Sequence, residues 1–104
     1  MKRGEIWWKM TPEAKPRPHL ILTRDEAIPL LNRVITVPLT GTARGIPTEV
    51  TVGTEDGLRR ESVISVDNVT STAKSQLIEH ITQLSPAKLH AVCRALSLAT
   101  GCEI

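Results

Sequence analysis

Lys15-Pro16-Arg17-Pro18 is the segment of this chain whose residue types and spacing most favour chemistry. Prolines on both sides of Arg17 hold φ near −65° and restrict the residues that precede them. The guanidinium therefore starts with little backbone freedom, is always charged, and offers a planar fork of donors that matches phosphate. An arginine so placed can equally cap a strand end or pair with Asp25 or Glu26, and the local sequence leaves both roles open. Two residues on, strand alternation puts His19 on the same side as Arg17. Its imidazole can serve there as general acid or base, or as a hydrogen-bonded packing residue. The second segment is Val37-Pro38-Leu39-Thr40-Gly41-Thr42-Ala43-Arg44-Gly45. Thr40 and Thr42 stand beside Gly41 and Gly45, where a backbone can approach a ligand closely, although strand-end threonines are common without any function.

Several other chemistries are absent from the sequence. There is no Gly-x-Ser-x-Gly elbow, no phosphate-binding P-loop and no dinucleotide glycine fingerprint. Cys93 and Cys102 are the only cysteines, and with His19, His80 and His90 scattered they form neither a disulfide scaffold nor a metal-ligand spacing. Free thiols, no metal and no cofactor are expected. Tyr and Phe are missing, and the adjacent Trp7 and Trp8 are the whole aromatic inventory. A sheet that stacks several RNA bases on rings needs more, which disfavours the RRM and typical OB modes.

The elements that must carry these residues are short strands. Glu5 to Trp8 reads as a first strand and His19 to Thr23 as a second, entered through the Pro-Arg-Pro segment. Arg33 to Thr40 is the strongest β-former, with Pro38 marking an edge position or the end of regular pairing. Thr48 to Val52, Ser62 to Val66 and Leu77 to Leu84 bring the expected strands to six, and Asp25 to Leu31 adds a helical turn interrupted by Pro29. The period then changes. Ser85 is an N-cap, Pro86 a first helical residue, Leu84 a hydrophobic staple, and Leu89, Val92, Cys93 and Leu96 one apolar face that Gly101 ends. The expected fold is mostly β with a C-terminal α-helix, a small barrel or strongly bent sheet, in a single domain over residues 1–104. No apolar run approaches the roughly 20 residues that span a bilayer, and no signal-peptide core precedes the first strand, so a cytoplasmic protein is expected.

Charge is uneven. The net value is +2, but residues 1–44 carry eight basic and four acidic side chains and residues 45–104 carry five and seven. The near-neutral total hides a basic N-terminal half, which suits either a polyanion groove or an ordinarily solvated surface.

In order along the chain, several short segments resemble the MazF/PemK family of toxin endoribonucleases. Met1-Lys2-Arg3-Gly4-Glu5-Ile6-Trp7 is similar to the family's opening, Arg17-Pro18 to its Arg-Pro signature, and Val37-Pro38-Leu39-Thr40 to its strand ending in a threonine. Gly57-Leu58-Arg59-Arg60-Glu61-Ser62-Val63, Val66-Asp67-Asn68-Val69 with Lys74 and Leu77, and Ile81-Thr82-Gln83-Leu84-Ser85 continue the match. The resemblance implies an SH3-like or CcdB-like barrel and a homodimer with RNA in grooves at its interface. It also implies a small cognate antitoxin and metal-independent cleavage of single-stranded RNA, through attack of the 2′-OH on the adjacent phosphate. Arg17 and Thr40 then occupy the catalytic positions, His19 is a further catalytic candidate, and Lys9, Lys15, Thr42, Arg44, Asn68 and Lys74 are the RNA-binding candidates.

The chain departs from the family in places. Trp8 to Pro16 is shorter than the usual first loop, so the family's RNA preference does not carry over; His19 replaces a small aliphatic residue; Ala73 and Thr70 replace a usual acid and base. Thr42-Ala43-Arg44-Gly45 and Leu84 to His90 are similar to a branch that includes tRNA cutters. The alternatives within the fold are a CcdB-like gyrase poison and a noncatalytic binding module. Alternation in the first strand turns Trp8 inward with Ile6 and Trp7 toward the groove.

Overall fold

Burial of period-2 apolar residues on one face, closed by one amphipathic helix, organises the computed structural model, which describes residues 1–102. The strands are β1 (Glu5–Thr11), β2 (Ala14–Ile21), β3 (Arg33–Thr40), β4 (Glu49–Val52), β5 (Ser62–Ser65), β6 (Thr70–Ala73) and β7 (Leu77–Gln83), followed by α1 (Pro86–Thr100). All pairings are antiparallel, in the order β4-β5-β3-β2-β1-β7, and β6 also pairs with β3. The sheet bends around the core but does not close on itself, so it is a barrel only in a loose sense.

Three expectations about the strands change. β1 runs past Trp8 to Thr11, because Lys9 pairs with Arg17 and Thr11 with Ala14. β6, absent from the sequence reading, makes a seventh strand: Thr70-Ser71-Thr72-Ala73 has no apolar alternation and is extended because it pairs with Arg33 to Thr36. β2 begins at Ala14 and takes in the Pro-Arg-Pro segment, because this stretch pairs with β1, Trp8 opposite Pro18 and Lys9 opposite Arg17.

The two prolines find places where no ladder needs their missing N–H. Ile35 turns both its N–H and its C=O toward the β2 side, bonding Thr23 and Leu22. By alternation the nitrogen of Pro38 points to the other side. There β3 has passed its last β6 partner, at Thr36, and not yet reached its first β5 partner, at Leu39. Pro38 is thus internal to the sheet, at a change of partner. The Ile21 C=O accepts from the Gly4 N–H on the β1 side. The same alternation turns Pro18 toward β3, where it has no N–H to continue the ladder. The β2–β3 pairing accordingly runs from Ile21/Thr36 to His19/Pro38 and stops.

Ile6, Leu20, Leu22, Val37, Leu39, Val52, Ile64 and Val66 form the main core, which Val92 and Ala95 of α1 and the buried Leu84 close. Ser85 caps α1 by accepting from the Lys88 N–H at 3.2 Å, and Gly101 ends it at φ 71°. Lys88 Nζ ties the helix to the rest through Thr51 O (2.6 Å) and Asp56 Oδ2 (3.5 Å). A second, smaller cluster of Ile21, Ile28, Val34 and Leu77, with Met1 and Trp7 against it, lies on the opposite face. The expected turn is a 3-10 turn over Ile28–Leu30 that delivers Ile28 to this cluster. Trp7 is on the face of Arg17 and His19, but it is packed there edge-on to His80 at 5.8 Å. Trp8 shares Ile6's face yet lies beyond the core and remains partly exposed. Among the described residues no helix is long and apolar enough to cross a membrane.

Gly57 ends the 3-10 turn Thr54–Asp56 at φ 92°, and a Cβ there would also collide with the Thr82 side chain, which bonds Asp56 O at 3.0 Å. Gly57→Ala should therefore cost about 1–3 kcal/mol. Gly41→Ala, with open space around it, should lie within about 0.5 kcal/mol of wild type. Urea unfolding of both variants checks the contrast.

Candidate active site

β2 and β3 each carry one predicted catalytic residue just past the point where their ladder ends. Extending the His19/Pro38 register by two residues sets Arg17 across from Thr40, on the same face. No ladder hydrogen bonds close that gap: β2 stays with β1 there, and β3 is paired with β5 on its other edge, Thr40 opposite Val63. The two strands form a fork, with the guanidinium on one prong and the hydroxyl on the other.

Arg17 is exposed, and among the described residues its guanidinium makes no ion pair. Asp25, a candidate structural partner, instead accepts from the Arg3 backbone N–H at 2.7 Å. Thr40 is partly buried, and its hydroxyl donates to Thr42 O at a long 3.4 Å, a weak bond that a better acceptor can replace. Thr42 and Arg44 follow on the exposed stretch after β3. Glu49 pins that stretch by accepting the Arg44 and Gly45 N–H groups at 2.8 and 3.1 Å, and the Arg44 side chain stays largely solvated. Lys15 is exposed on β2, at the alternation of Arg17.

His19 is buried, at 5% exposure. Its Nδ1 lies 2.8 Å from Thr36 Oγ1, Thr36 Oγ1 lies 2.8 Å from Thr72 Oγ1, and Lys9 Nζ donates to Thr72 Oγ1 at 3.5 Å. One polar row thus crosses β2, β3, β6 and β1 beneath the fork. Burial, then the charges of Lys9 and Arg17, push the His19 imidazole down to about 4. It is neutral near pH 7, which weakens a general-acid role, since such a group works best with a pKa near the working pH.

The remaining candidates are spread out. Asn68, in the turn between β5 and β6, is held by its amide on Ser65 Oγ at 2.8 Å. Lys74 is not brought to the fork. It lies at the Arg33 end of β3, about 20 Å along the strand from Thr40, and its ammonium donates to Ile28 O at 2.7 Å. Thr36 and Thr72 were not singled out from sequence. Alternation along β3 puts Thr36 on Thr40's face, which was a usable signal, whereas Thr72 needed the unread strand β6.

The buried imidazole gives a pH signature. Below about 6.5 the unfolded chain takes up a proton that folded His19 refuses until about pH 4, so stability is fully present above 6.5 and lost on acidification between these values. The difference amounts to on the order of 3 kcal/mol. Urea unfolding at pH 7 and pH 4.5 should show it, and His19→Gln should flatten the slope.

A family model described as the PemK-like, MazF-like toxin of type II toxin-antitoxin system matches residues 2–100. The probable endoribonuclease MazF5 of Mycobacterium tuberculosis is 37% identical over 102 residues, which covers 97% of this chain and 94% of that protein. The M. tuberculosis toxin MazF-mt6 superposes with a TM-score of 0.88 at 34% identity, over 96% of this chain and 99% of that one. An endoribonuclease solved in complex with its cognate antitoxin, from a mycobacterial species, gives 0.89 at 27% identity, over 100% and 98%. The match spans both prongs of the fork and the closing helix, and the chain belongs to the PemK-like, MazF-like toxins of type II toxin-antitoxin systems.

Proposed function

We propose that this toxin is an endoribonuclease that cuts single-stranded RNA at the fork between Arg17 and Thr40. The observation that carries the reading is the register: it puts an exposed guanidinium, without an ion pair among the described residues, and a weakly held strand-end hydroxyl on one face, where the β2–β3 ladder stops. A phosphodiester placed there meets a fixed positive charge and a neutral donor. The ribose 2′-OH gives up its proton and attacks the adjacent phosphorus, the P–O5′ bond breaks, and O5′ takes a proton. The products are a 2′,3′-cyclic phosphate and a free 5′-OH. Arg17 stabilises the charge that grows on the phosphorane oxygens, and Thr40 holds the phosphate or orients the nucleophile. DNA lacks the 2′-OH and is not a substrate.

Lys9, Lys15, Thr42, Arg44 and Asn68 supply further contacts along the strand, as phosphate neutralisers and polar partners. Lys74, turned to the Ile28 carbonyl at the far end of β3, is left out of this set. The toxin acts in the cytoplasm as a homodimer and is held in check by a small cognate antitoxin.

Arg17→Ala should keep the circular dichroism and urea midpoint of wild type while lowering cleavage by about 10³-fold or more. Thr40→Val should lower it by about 10²- to 10³-fold. Incubation of total RNA with each protein in the presence of a chelator, followed by sequencing of the 5′-OH ends, reads both effects and shows whether hits disperse over mRNA or collect in tRNA. Undiminished cutting by Arg17→Ala, or intact RNA alongside a stalled gyrase, would overturn the proposal.

A further inference from the structure

The polar row under the fork has a direction. Lys9 carries an ammonium, which has hydrogens to give and no lone pair to receive with, so at Thr72 Oγ1 it can only donate. Thr72 is fully buried, and its remaining hydroxyl neighbour is Thr36 Oγ1 at 2.8 Å. If Thr72 accepted from both, its own O–H would point at nothing in a dry interior, a loss of about 1–3 kcal/mol. Thr72 therefore donates to Thr36. The same reasoning applies one step on. Thr36 is also fully buried, accepts from Thr72, and has His19 Nδ1 at 2.8 Å as the place for its proton. Nδ1 is then the acceptor, and in a neutral imidazole the single proton must sit on Nε2.

Nε2 is the free end of this chain. It has no hydrogen-bond partner among the described residues, where every fully buried side-chain N or O atom has one. The small exposed part of His19 accordingly includes Nε2. His19 alternates with Arg17 on β2 and is paired with Pro38, two residues before Thr40, so this edge belongs to the face of the fork.

We propose that His19 serves the site as a neutral hydrogen-bond donor, locked by the Lys9–Thr72–Thr36 row into the Nε2–H tautomer and presenting that N–H to the phosphate beside Arg17. This assignment rests on the ribonuclease reading for its substrate, and on the row alone for its tautomer. Lys9, Thr72 and Thr36 are positioning residues, and Lys9 acts on the site through two hydroxyls as well as through its charge. A neutral donor stabilises negative charge on the phosphorane oxygens without exchanging a proton, complementing the guanidinium.

Nitrogen-detected NMR of the imidazoles in the full chain at pH 7, without RNA, reads the tautomer directly. His19 should show a protonated Nε2 and a bare Nδ1, and Lys9→Met and Thr72→Val should each admit the Nδ1–H form. In the cleavage assay, His19→Asn, whose amide cannot reach the Nε2 position, should lose about tenfold to hundredfold in kcat. His19→Gln, which restores an N–H there, should recover most of it. An Nδ1–H tautomer in the wild type, or full activity in a folded His19→Asn, would overturn the assignment. If His19→Asn does not fold, the wild-type and Lys9→Met spectra still decide the wiring. A wild-type chain that shows the Nε2–H tautomer yet leaves RNA uncut would instead overturn the ribonuclease reading and, with it, the phosphate as the donor's target.

Discussion

A proline has no N–H to give to a neighbouring strand, and the site depends on where Pro18 and Pro38 place that deficit. Pro18 ends the β2–β3 ladder from one side, and Pro38 marks the point where β3 exchanges β6 for β5. Had the ladder run on, Arg17 and Thr40 would sit over a continuous hydrogen-bonded sheet. Since it stops, the two candidate side chains share one face with no ladder pairing between their residues. The main core lies on the other face, where Leu20, Val37 and Leu39 pack under α1. The opening therefore removes pairing from the β2–β3 boundary and leaves the apolar packing on both sides of it intact.

The face that carries the fork is divided along its length. Toward the Arg33 end of β3, Ile21, Ile28, Val34 and Leu77 bury themselves with Trp7, and Lys74 is fastened to the Ile28 carbonyl. Toward Thr40, the same face is polar. The buried row of Thr72, Thr36 and His19 lies between these regions, each member bonded to the next. Buried hydroxyls and an imidazole are tolerated because they satisfy one another; alone, each would cost more than it contributes. Charge follows the same division. Lys9 and Arg17 both bear on His19 and, after burial itself, keep it neutral. Near the far end Glu5 behaves in the opposite sense. Burial raises its pKa, but hydrogen bonds from Trp7 and the Lys2 N–H, with the N-terminal and His80 charges, outweigh this and bring it below the usual value.

Much of this was legible in the chain. The bounds of β3 and the helix signals at Ser85, Pro86 and Gly101 were local, and the structure agrees with them, because strong β-formers and caps act within a few residues. β6 was not legible. Thr70 to Ala73 carries no periodic apolar signal and becomes a strand only because Arg33 to Thr36 lies alongside to receive its hydrogen bonds. The start of β2 was misjudged for a related reason. Two prolines read as the entry to the strand, yet alternate prolines can lie within it when both turn their nitrogens away from the β1 ladder.

Arg17, Thr40 and His19 could be named from sequence because their chemistry is a property of the residue and its immediate neighbours. Strand alternation even put Arg17 and His19 on one face. Sequence left open whether Arg17 was structural or free, whether the imidazole was charged, and whether Lys74 belonged with the others. Those answers depend on distances between residues far apart in the chain: Asp25 engaged by Arg3, Thr72 and Thr36 lined up behind His19, and Lys74 turned toward Ile28. Residue types and local patterns determined which groups could act. Only the tertiary structure decided which of them share a site, because burial, register and charge proximity exist only once distant strands are paired.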